Sequence, residues 1–248
     1  MTISVVVITR NEQAGIRGCL DSVKWADEIV VLDSGSTDAT VQICRQYTQR
    51  VYETDWPGFG PQKNRALAQA GGEWVLSLDA DERVSPELRD EIMAIVSGNG
   101  KFDAYAIPRL SSYCGRFMRH GGWWPDYVTR LFRRGKGRFS DDLVHERLVV
   151  DGTTARLKNH LEHHAFEDLE EVLRKVDQYS SASARMLRER GRSGSLSKAI
   201  AHGFWAFLRT YALRAGFLDG KHGFMLAVSN AEGTYYRYLK LMLLEEKR

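Results

Sequence analysis

Short apolar runs of strand length alternate with segments of helical spacing along the first hundred residues. Three of these runs, residues 3–8, 28–33 and 74–78, are rich in Val, Ile and Leu. Near-continuous apolar strands of this kind are typical of a parallel sheet that is covered by helices on both faces. The pattern therefore predicts an α/β fold with a Rossmann-like, mostly parallel sheet flanked by helices.

Each of the three runs ends in a polar cluster. The clusters are residues 9–12, 33–38 and 79–82. Because the carboxyl ends of parallel strands lie at one edge of the sheet, where such folds bind their ligands, we expect the three clusters to converge. Their convergence is a stronger indication of a binding site than any one cluster alone.

The third cluster contains two carboxylates, Asp79 and Asp81, spaced by one residue. On an extended backbone, side chains two positions apart point the same way, so both can meet one cation. Carboxylate oxygens suit Mg²⁺ or Mn²⁺, which commonly bridge to substrate phosphates. The alternative is an acidic loop that follows a strand.

The second cluster begins with Asp33, which ends its apolar run and is followed by small residues. A carboxylate at this place can accept hydrogen bonds from a base or a ribose. The alternative is a strand-to-helix turn in which Ser36 and Asp38 cap the helix.

A glycine-rich segment, residues 58–65, leads into a predicted helix and carries Lys63, Asn64 and Arg65. Cations and amides at a helix start favour phosphate. The segment matches neither a Walker motif nor a dinucleotide fingerprint. A turn before a surface helix is the alternative.

Residues 141–146 bring together three carboxylates and one imidazole: Asp141, Asp142, His145 and Glu146. Any of them can serve as a general base, and the histidine can also bind a metal. A second histidine group at 160–164 lacks the spacing of a metalloprotease helix. We expect that group to be structural or on the surface.

The net charge of +3, from 35 basic and 32 acidic residues, hides an uneven distribution. Between Arg109 and Arg138 stand eight cations and one acid, Asp126. This predicts either a site for an anionic partner or a solvated basic surface. The near-neutral total and the paired carboxylates argue against a nucleic-acid-binding protein, which is the non-enzymatic alternative.

Three cysteines outside any CxxC spacing indicate a reducing compartment and no zinc site. The sequence starts without signal-peptide features and has no uncharged stretch of spanning length, which predicts a cytoplasmic protein. Residues 199–218 and 235–244 mix aromatic residues and leucines with Arg and Lys. Such segments are typical of helices that lie on a membrane, or alternatively of a helical subdomain.

The series ISVVVITRNE, EIVVLDSGSTDAT, KNRAL and VLSLDADE resembles the nucleotide-sugar-binding half of family 2 glycosyltransferases, which have the GT-A fold. The segments WWPDYVTRLFRRGKGRF and VHERL are similar to the subgroup of bacterial lipopolysaccharide inner-core β-1,4-glucosyltransferases. The resemblance implies a catalytic domain over residues 1–165, with a nucleotide-sugar half (1–100) and an acceptor half (101–165). A helical C-terminal region, 166–248, would follow and would contact the membrane.

The resemblance also implies roles for matching residues. The positions near the nucleotide sugar are Thr9, Asn11, Glu12, Asp33, Lys63, Asn64, Arg65 and Asp79. The metal, Mn²⁺ or Mg²⁺, would be held by Asp81 and Asp79, with His145 completing the site. The Gln-x-x-Arg-Trp motif that follows the base in many members is missing. The catalytic base would be Glu146, because the His-Glu pair follows the Arg-Leu-Phe-Arg-Arg segment at the spacing of the subgroup, with Asp142 in reserve. Acceptor contacts would come from Trp123, Trp124, Asp126 and Arg130.

The implied reaction is an inverting transfer of a hexose, glucose in the first instance, from a UDP-sugar. The implied acceptor is a lipopolysaccharide core or another lipid-linked glycan, with the protein in the cytoplasm on the inner membrane surface and no nucleic-acid partner. A sugar nucleotidyltransferase is the enzymatic alternative. The stretch after the first run, TRNEQAG, is a poor match to the glycine-rich basic loop of that class.

Overall fold

The computed structural model describes residues 1–98, 100–140 and 147–246. Within them lie twelve strands, seven α-helices, a π-helical turn and a 3-10 turn. The strands are β1 (Ile3–Thr9), β2 (Glu28–Asp33), β3 (Val51–Glu53), β4 (Trp74–Asp79), β5 (Glu82–Val84), β6 (Ala104–Tyr113), β7 (Arg116–Phe117), β8 (Asp126–Arg133), β9 (Gly137–Phe139), β10 (Leu148–Val150), β11 (Thr154–Arg156) and β12 (Leu161–Phe166). The helices are α1 (Ile16–Asp21), α2 (Thr40–Cys44), α3 (Phe59–Gln69), α4 (Pro86–Ser97), α5 (Leu169–Glu189), α6 (Leu196–Leu208) and α7 (Gly220–Glu246), with the π turn at Arg209–Leu213 and the 3-10 turn at Gly216–Asp219.

The main sheet has the strand order β3-β2-β1-β4-β8-β6-β12-β5, with β7 and β11 paired to β6. The first four strands of this order are parallel, as the apolar runs predict, whereas β8 is antiparallel to both β4 and β6. In the register, Thr9 lies opposite Asp33 and Ile8 lies opposite Asp79. The three polar clusters therefore meet at one edge of the sheet, as expected.

Both faces of the parallel strands are buried. Along β1, Val5 and Val7 pack into the cluster that holds α1 and α4, whereas Val6 and Ile8 pack into the cluster that holds Ala66 of α3. This split follows from the alternation of side chains across a strand. It explains why the run is apolar at nearly every position.

Side-chain hydrogen bonds of Ser85 and Asp38 determine where α4 and α2 begin. Ser85 caps α4 as its sequence predicts, because its hydroxyl accepts a hydrogen bond from the Leu88 amide at 3.2 Å. The helix that follows the 33–38 cluster begins only at Thr40. The carboxylate of Asp38 accepts from the Thr40 amide at 3.0 Å and keeps the preceding residues in a loop.

The chain forms two compact units. The first comprises Met1–Arg109 and Asp126–His163, and the second comprises Leu110–Pro125 and His164–Arg248. The second unit thus takes in residues 110–125, which the sequence division had placed in the acceptor half of the catalytic domain. The cause is a set of long-range hydrogen bonds, such as that between the Tyr113 and Ser229 hydroxyls at 2.7 Å. The functional roles of the two domains stay predictions.

The second unit is built on α7, against which both α5 and α6 pack. Helices α5 and α6 are separated by a loop that ends at Ser195, which caps α6 by accepting from the Lys198 amide at 3.2 Å. Among the described helices, none combines the length and apolar character that crossing a bilayer requires.

Candidate active site

The loop after β2 is organised by the carboxylate of Asp33, which is fully buried. Its Oδ2 accepts hydrogen bonds from the amides of Gly35 (2.9 Å) and Ser36 (2.8 Å), and its Oδ1 pairs with the Ser36 hydroxyl. Gly35 has a φ of +80°, which glycine adopts without strain. Asp33 therefore shapes the turn, and its predicted contact with a base stays a prediction.

The loops after β1 and β2 are joined by hydrogen bonds. The Asn11 side chain accepts from the Thr37 amide at 2.8 Å, and the Asn11 amide donates to the Ser36 hydroxyl at 2.8 Å. The Glu12 amide donates to the Thr40 hydroxyl at 2.8 Å. Thr9 is buried beside them, and its hydroxyl has no hydrogen-bond partner among the described residues. These bonds hold the first two predicted clusters together as one surface.

The third cluster is an ion network around Asp79. Lys63 Nζ lies 2.9 Å from Asp79 Oδ1, and Arg130 pairs with the other oxygen. Arg130 also donates to Glu82 Oε1 at 2.7 Å, and Glu82 Oε2 accepts from the Asp79 amide at 3.0 Å. Lys63, Glu82 and Arg130 are all buried.

Charge compensation keeps Asp79 ionised in this setting. Burial alone raises the pKa of the Asp79 carboxyl, but the charges of Arg130 and Lys63 outweigh it and hold that pKa far below its usual range. In return, Asp79 and Glu82 overcome the burial of the Arg130 guanidinium and raise its pKa. Both oxygens of Asp79 are thus engaged by cations, which leaves Asp81 as the carboxylate better placed to meet a metal.

Asp81 has the features of a metal ligand. Its Oδ1 is buried and has no hydrogen-bond partner among the described residues, and its Oδ2 lies 3.3 Å from His163 Nε2. The antiparallel pairing of β12 with β5 sets His163 opposite Glu82 and so brings its imidazole to the Asp79–Asp81 segment. A carboxylate oxygen and an imidazole nitrogen together suit Mn²⁺, and the carboxylate also suits Mg²⁺. The residues present therefore fit a divalent cation.

His163 belongs to the histidine group at 160–164, which was expected to be structural or on the surface. The signal that points to it is strand alternation: Leu161 is fully buried on β12, and His163 follows two positions later, on the same face. In the part of the chain that the structure describes, no three His, Cys, Asp or Glu side chains converge on one metal position. Further ligands would come from substrate phosphates or water, as is usual for Mg²⁺.

Lys63, Asn64 and Arg65 leave the start of α3 in different directions. Lys63 faces Asp79, with its Nζ 5.3 Å from the centre of the Phe139 ring. Asn64 binds the Phe139 backbone twice, donating to its carbonyl and accepting from its amide, each at 2.9 Å. Arg65 lies at the surface, 2.8 Å from Asp55. Of the three, Lys63 is the one that joins the ion network.

The sequence model of Glycosyl transferase family 2 matches residues 4–164 of this chain. An uncharacterized glycosyltransferase of Rickettsia prowazekii, RP128, is 31% identical over 96% of this chain and 86% of its own length. The chain belongs to glycosyltransferase family 2. The lipopolysaccharide core biosynthesis glycosyltransferase LpsC of Rhizobium meliloti is 30% identical over 96% of this chain and 90% of its own.

This family 2 chain also resembles a solved structure. The crystal structure of S. aureus TarS 1–349 in complex with UDP-GlcNAc superimposes with a TM-score of 0.52 at 17% identity, covering 100% of this chain and 93% of that one. At this identity the likeness concerns the fold alone. It confirms the GT-A fold that the sequence motifs imply, with helices at the C-terminal end.

Two residues expected to contact the acceptor of the glycosyltransferase are held in ion pairs. Arg130 is enclosed by Asp79 and Glu82, and Asp126 accepts from Arg109 through Nε at 3.0 Å and Nη2 at 2.6 Å. The expected basic patch over 109–138 is therefore interrupted, because its Arg109 and Arg130 neutralise carboxylates rather than face a partner.

The two tryptophans expected at the acceptor lie in the second unit. Trp123 packs edge-on against Tyr113, with ring centres 5.8 Å apart, and tilts against Phe166 at 6.0 Å. The guanidinium of Arg119 lies 5.6 Å from the centre of the Trp124 ring. Trp123 thus has a packing role in addition to any contact with substrate.

The candidates for the catalytic base and for the metal-binding histidine lie outside the described residues: Asp141, Asp142, His145 and Glu146. The residues on either side of them are hydrogen-bonded to each other. The Ser140 amide donates to the Arg147 carbonyl at 2.9 Å, and the Arg147 amide donates to the Ser140 hydroxyl at 3.0 Å. The roles of these four residues stay predictions.

Replacing Asn64 by alanine tests whether this side chain positions the Phe139 backbone or contacts the nucleotide. If it positions Phe139, Asn64→Ala leaves two backbone groups without partners and costs about 1–3 kcal/mol of unfolding free energy. We then expect kcat to fall while KM for the nucleotide sugar changes little. Urea denaturation and donor-titrated kinetics measure both quantities.

Arg65→Ala is the matched control, since Arg65 adjoins Asn64 but forms an exposed ion pair worth at most about 1 kcal/mol. A higher KM in Asn64→Ala at unchanged stability would instead support the direct nucleotide contact that the family resemblance implies.

Proposed function

We propose that this chain transfers a hexose, glucose in the first instance, from a UDP-sugar to a lipopolysaccharide core or another lipid-linked glycan, with inversion at the anomeric carbon. The observation that carries the proposal is the meeting of three strand ends, with Thr9 opposite Asp33, Ile8 opposite Asp79, and Asp81 beside His163. The name of the Rhizobium meliloti relative supports the choice of acceptor class.

On the donor side of the site, we propose different roles for Asp79 and Asp81. We assign to Asp79, which Lys63 and Arg130 hold in position, the role of accepting hydrogen bonds from a ribose hydroxyl. We assign to Asp81 and His163 the binding of Mn²⁺ or Mg²⁺, which would offset the charge of the departing diphosphate. Lys63 adds a buried positive charge to the same region.

The transfer step needs a base on the acceptor side. As the acceptor hydroxyl oxygen bonds to the anomeric carbon, the bond from that carbon to the UDP oxygen breaks. A carboxylate takes the hydroxyl proton, and we assign this role to Glu146, with Asp142 in reserve. Holding donor and acceptor together removes most of the entropic cost of their encounter.

A cavity in the second unit supports a glycan contact at Trp123. It has a volume of about 260 Å³, and the rings of Tyr113, Trp123 and Phe166 line it together with the hydroxyls of Ser180 and Ser229. Aromatic faces with hydroxyl groups around them suit a sugar, which has apolar ring faces and polar edges. A lipid-linked acceptor also requires the protein to work at a membrane, which we propose is the cytoplasmic face of the inner membrane.

A panel of UDP- and GDP-sugars tests the donor assignment. We expect Mn²⁺-dependent binding and slow hydrolysis of UDP-glucose, loss of both on chelation with EDTA, and restoration when Mn²⁺ is returned. Preference for a GDP-sugar would overturn the donor assignment. Calorimetry for binding and release of UDP for hydrolysis provide the two readouts.

Two variants test the metal position. Asp81→Asn and His163→Ala should each weaken Mn²⁺-dependent donor binding at least about 10–100-fold, the loss seen when even an outer-shell partner of a metal is removed. Asp55→Asn is the control, because Asp55 is a solvent-exposed carboxylate paired with Arg65. Unchanged Mn²⁺ dependence in Asp81→Asn would place the metal elsewhere.

A further inference from the structure

The second unit carries an unusual concentration of exposed apolar side chains on α6 and the turns that follow it. We call this set the α6 face: Ile200, Phe204, Trp205, Leu208, Leu213, Phe217 and Leu218. Their exposed fractions run from 36% at Leu208 to 68% at Phe204. Large exposed apolar patches on a globular protein mark a surface that contacts another apolar phase or molecule.

The helix itself presents this face outward. Ile200, Phe204 and Leu208 recur every fourth residue and so lie along one side of α6. The opposite side, with Ala199, Gly203 and Ala206, is buried. Small residues against α7 and large apolar residues outward are the reverse of the usual arrangement of a surface helix.

Aromatic contacts extend the face beyond the helix. Phe224 lies against both Phe207 (5.6 Å between ring centres) and Tyr211 (5.6 Å), and Tyr211 lies against Phe217 (6.3 Å). These rings tie α6, the turns at 209–219 and the start of α7 into one cluster. Phe217 and Phe224 are each about half exposed within it.

The charges around the face have one sign. Residues 196–231 contain four cations and one acid: Lys198, Arg209, Arg214, Lys221 and Asp219. The acid is buried and accepts hydrogen bonds from the amides of Arg119 (3.1 Å) and His120 (2.8 Å), so its charge is directed inward. Among the described residues of this segment, the exposed charges are positive.

We propose that the α6 face rests on a bilayer of anionic phospholipid, with its aromatic and aliphatic side chains in the interfacial layer. The inference rests on the proposed function, in which the acceptor is carried on a lipid. Apolar groups rimmed by cations complement an anionic headgroup layer above hydrocarbon. A second copy of the chain would bring the same positive charges against one another.

Side-chain exposure distinguishes between the two segments that could lie on a membrane. Residues 199–218 and 235–244 both have the composition of an interfacial helix or of a helical subdomain, but Leu241 in the second segment is fully buried and its neighbours are mostly half-buried. The exposed apolar residues of α5, such as Leu173 and Tyr179, stand on a helix in which four acids balance four cations. Without the excess of positive charge that surrounds the α6 face, α5 has less attraction to an anionic surface and offers a matched control.

Co-sedimentation of the full chain with vesicles tests the proposal. We expect binding to phosphatidylcholine vesicles that contain phosphatidylglycerol, weak binding without it, and weakening by salt. The double variant Phe204→Glu/Trp205→Glu should bind at least about a hundredfold more weakly, given the apolar transfer energy of two aromatic side chains. The control, Leu173→Glu/Tyr179→Glu, should bind as the unmodified chain does.

A charge variant provides independent support. Arg209→Gln/Lys221→Gln should weaken binding about thirtyfold, because each cation near an anionic surface contributes about 1 kcal/mol. Equal loss in the α5 control would overturn the proposal. So would a dimer that dissociates only in Phe204→Glu/Trp205→Glu while no variant binds vesicles, since the occupant would then be a second copy.

The proposed sugar transfer and the proposed membrane contact can be tested independently of each other. Mn²⁺-dependent hydrolysis of UDP-glucose, measured without lipid, should be unchanged in Phe204→Glu/Trp205→Glu. Vesicle binding by a chain that hydrolyses no UDP-sugar would support the membrane contact of the α6 face and contradict the proposed donor. Hydrolysis without vesicle binding would do the opposite.

Discussion

Arg130→Met is expected to lower the free energy of unfolding by about 3–5 kcal/mol, the cost of breaking a buried ion pair by removing one partner. Arg130 compensates Asp79 and Glu82 at once, and Glu82 is fully buried. Methionine keeps much of the length of arginine but leaves Glu82 with reduced compensation from Arg109, whose Nη1 lies 3.5 Å away. The loss should be a large fraction of the stability of an ordinary domain.

Urea denaturation followed by circular dichroism measures this loss. Arg65→Met is the control, since the Arg65–Asp55 pair is exposed and should contribute at most about 1 kcal/mol. Similar small losses in both variants would show that the network around Asp79 is weakly coupled to folding. A selective rise in KM for the acceptor, at unchanged stability, would support the acceptor contact that the sequence first suggested for Arg130.

The strand ends could be predicted because their cause is local. Apolar runs identify β1, β2 and β4, and parallel pairing then places Thr9, Asp33 and Asp79 at one edge whatever the rest of the chain does. The start of α4 likewise has a local cause, since Ser85 caps the helix and Pro86 occupies its first turn. Family motifs extended this to the GT-A fold.

The partners of those residues could not be predicted, because they arrive through long-range pairing. Arg130 reaches Asp79 because β8 pairs antiparallel with β4, an arrangement that no periodicity within either strand encodes. His163 reaches Asp81 through the pairing of β12 with β5. A count of charges along 109–138 does not reveal that Arg109 and Arg130 are paired with carboxylates.

The described residues just before the predicted base segment are connected to the ion network. Asn64 holds the backbone of Phe139, and the Phe139 ring lies 5.3 Å from Lys63 Nζ, which contacts Asp79. The roles that we propose for Glu146 and Asp142 are tested by substitution.

Glu146→Gln is accordingly expected to lower the rate of glycosyl transfer by about 10²–10⁴-fold, the usual contribution of a general base. Glutamine keeps the shape of the side chain but does not take up the acceptor proton. Binding of UDP-glucose with Mn²⁺ should stay near that of the unmodified enzyme, because the donor contacts that we propose are those of Asp79, Asp81 and His163. Single-turnover transfer to an acceptor extract and calorimetry with UDP-glucose measure the two quantities.

Asp142→Asn is the matched control, since it removes a carboxylate from the same short segment and should retain transfer. The reverse result, with Asp142→Asn inactive and Glu146→Gln active, would move the base to Asp142. Loss of donor binding in Glu146→Gln would show that the residue acts on the nucleotide sugar rather than on the acceptor proton. Because a base acts after both substrates are bound, a drop in kcat at constant donor affinity is the result that separates catalysis from binding.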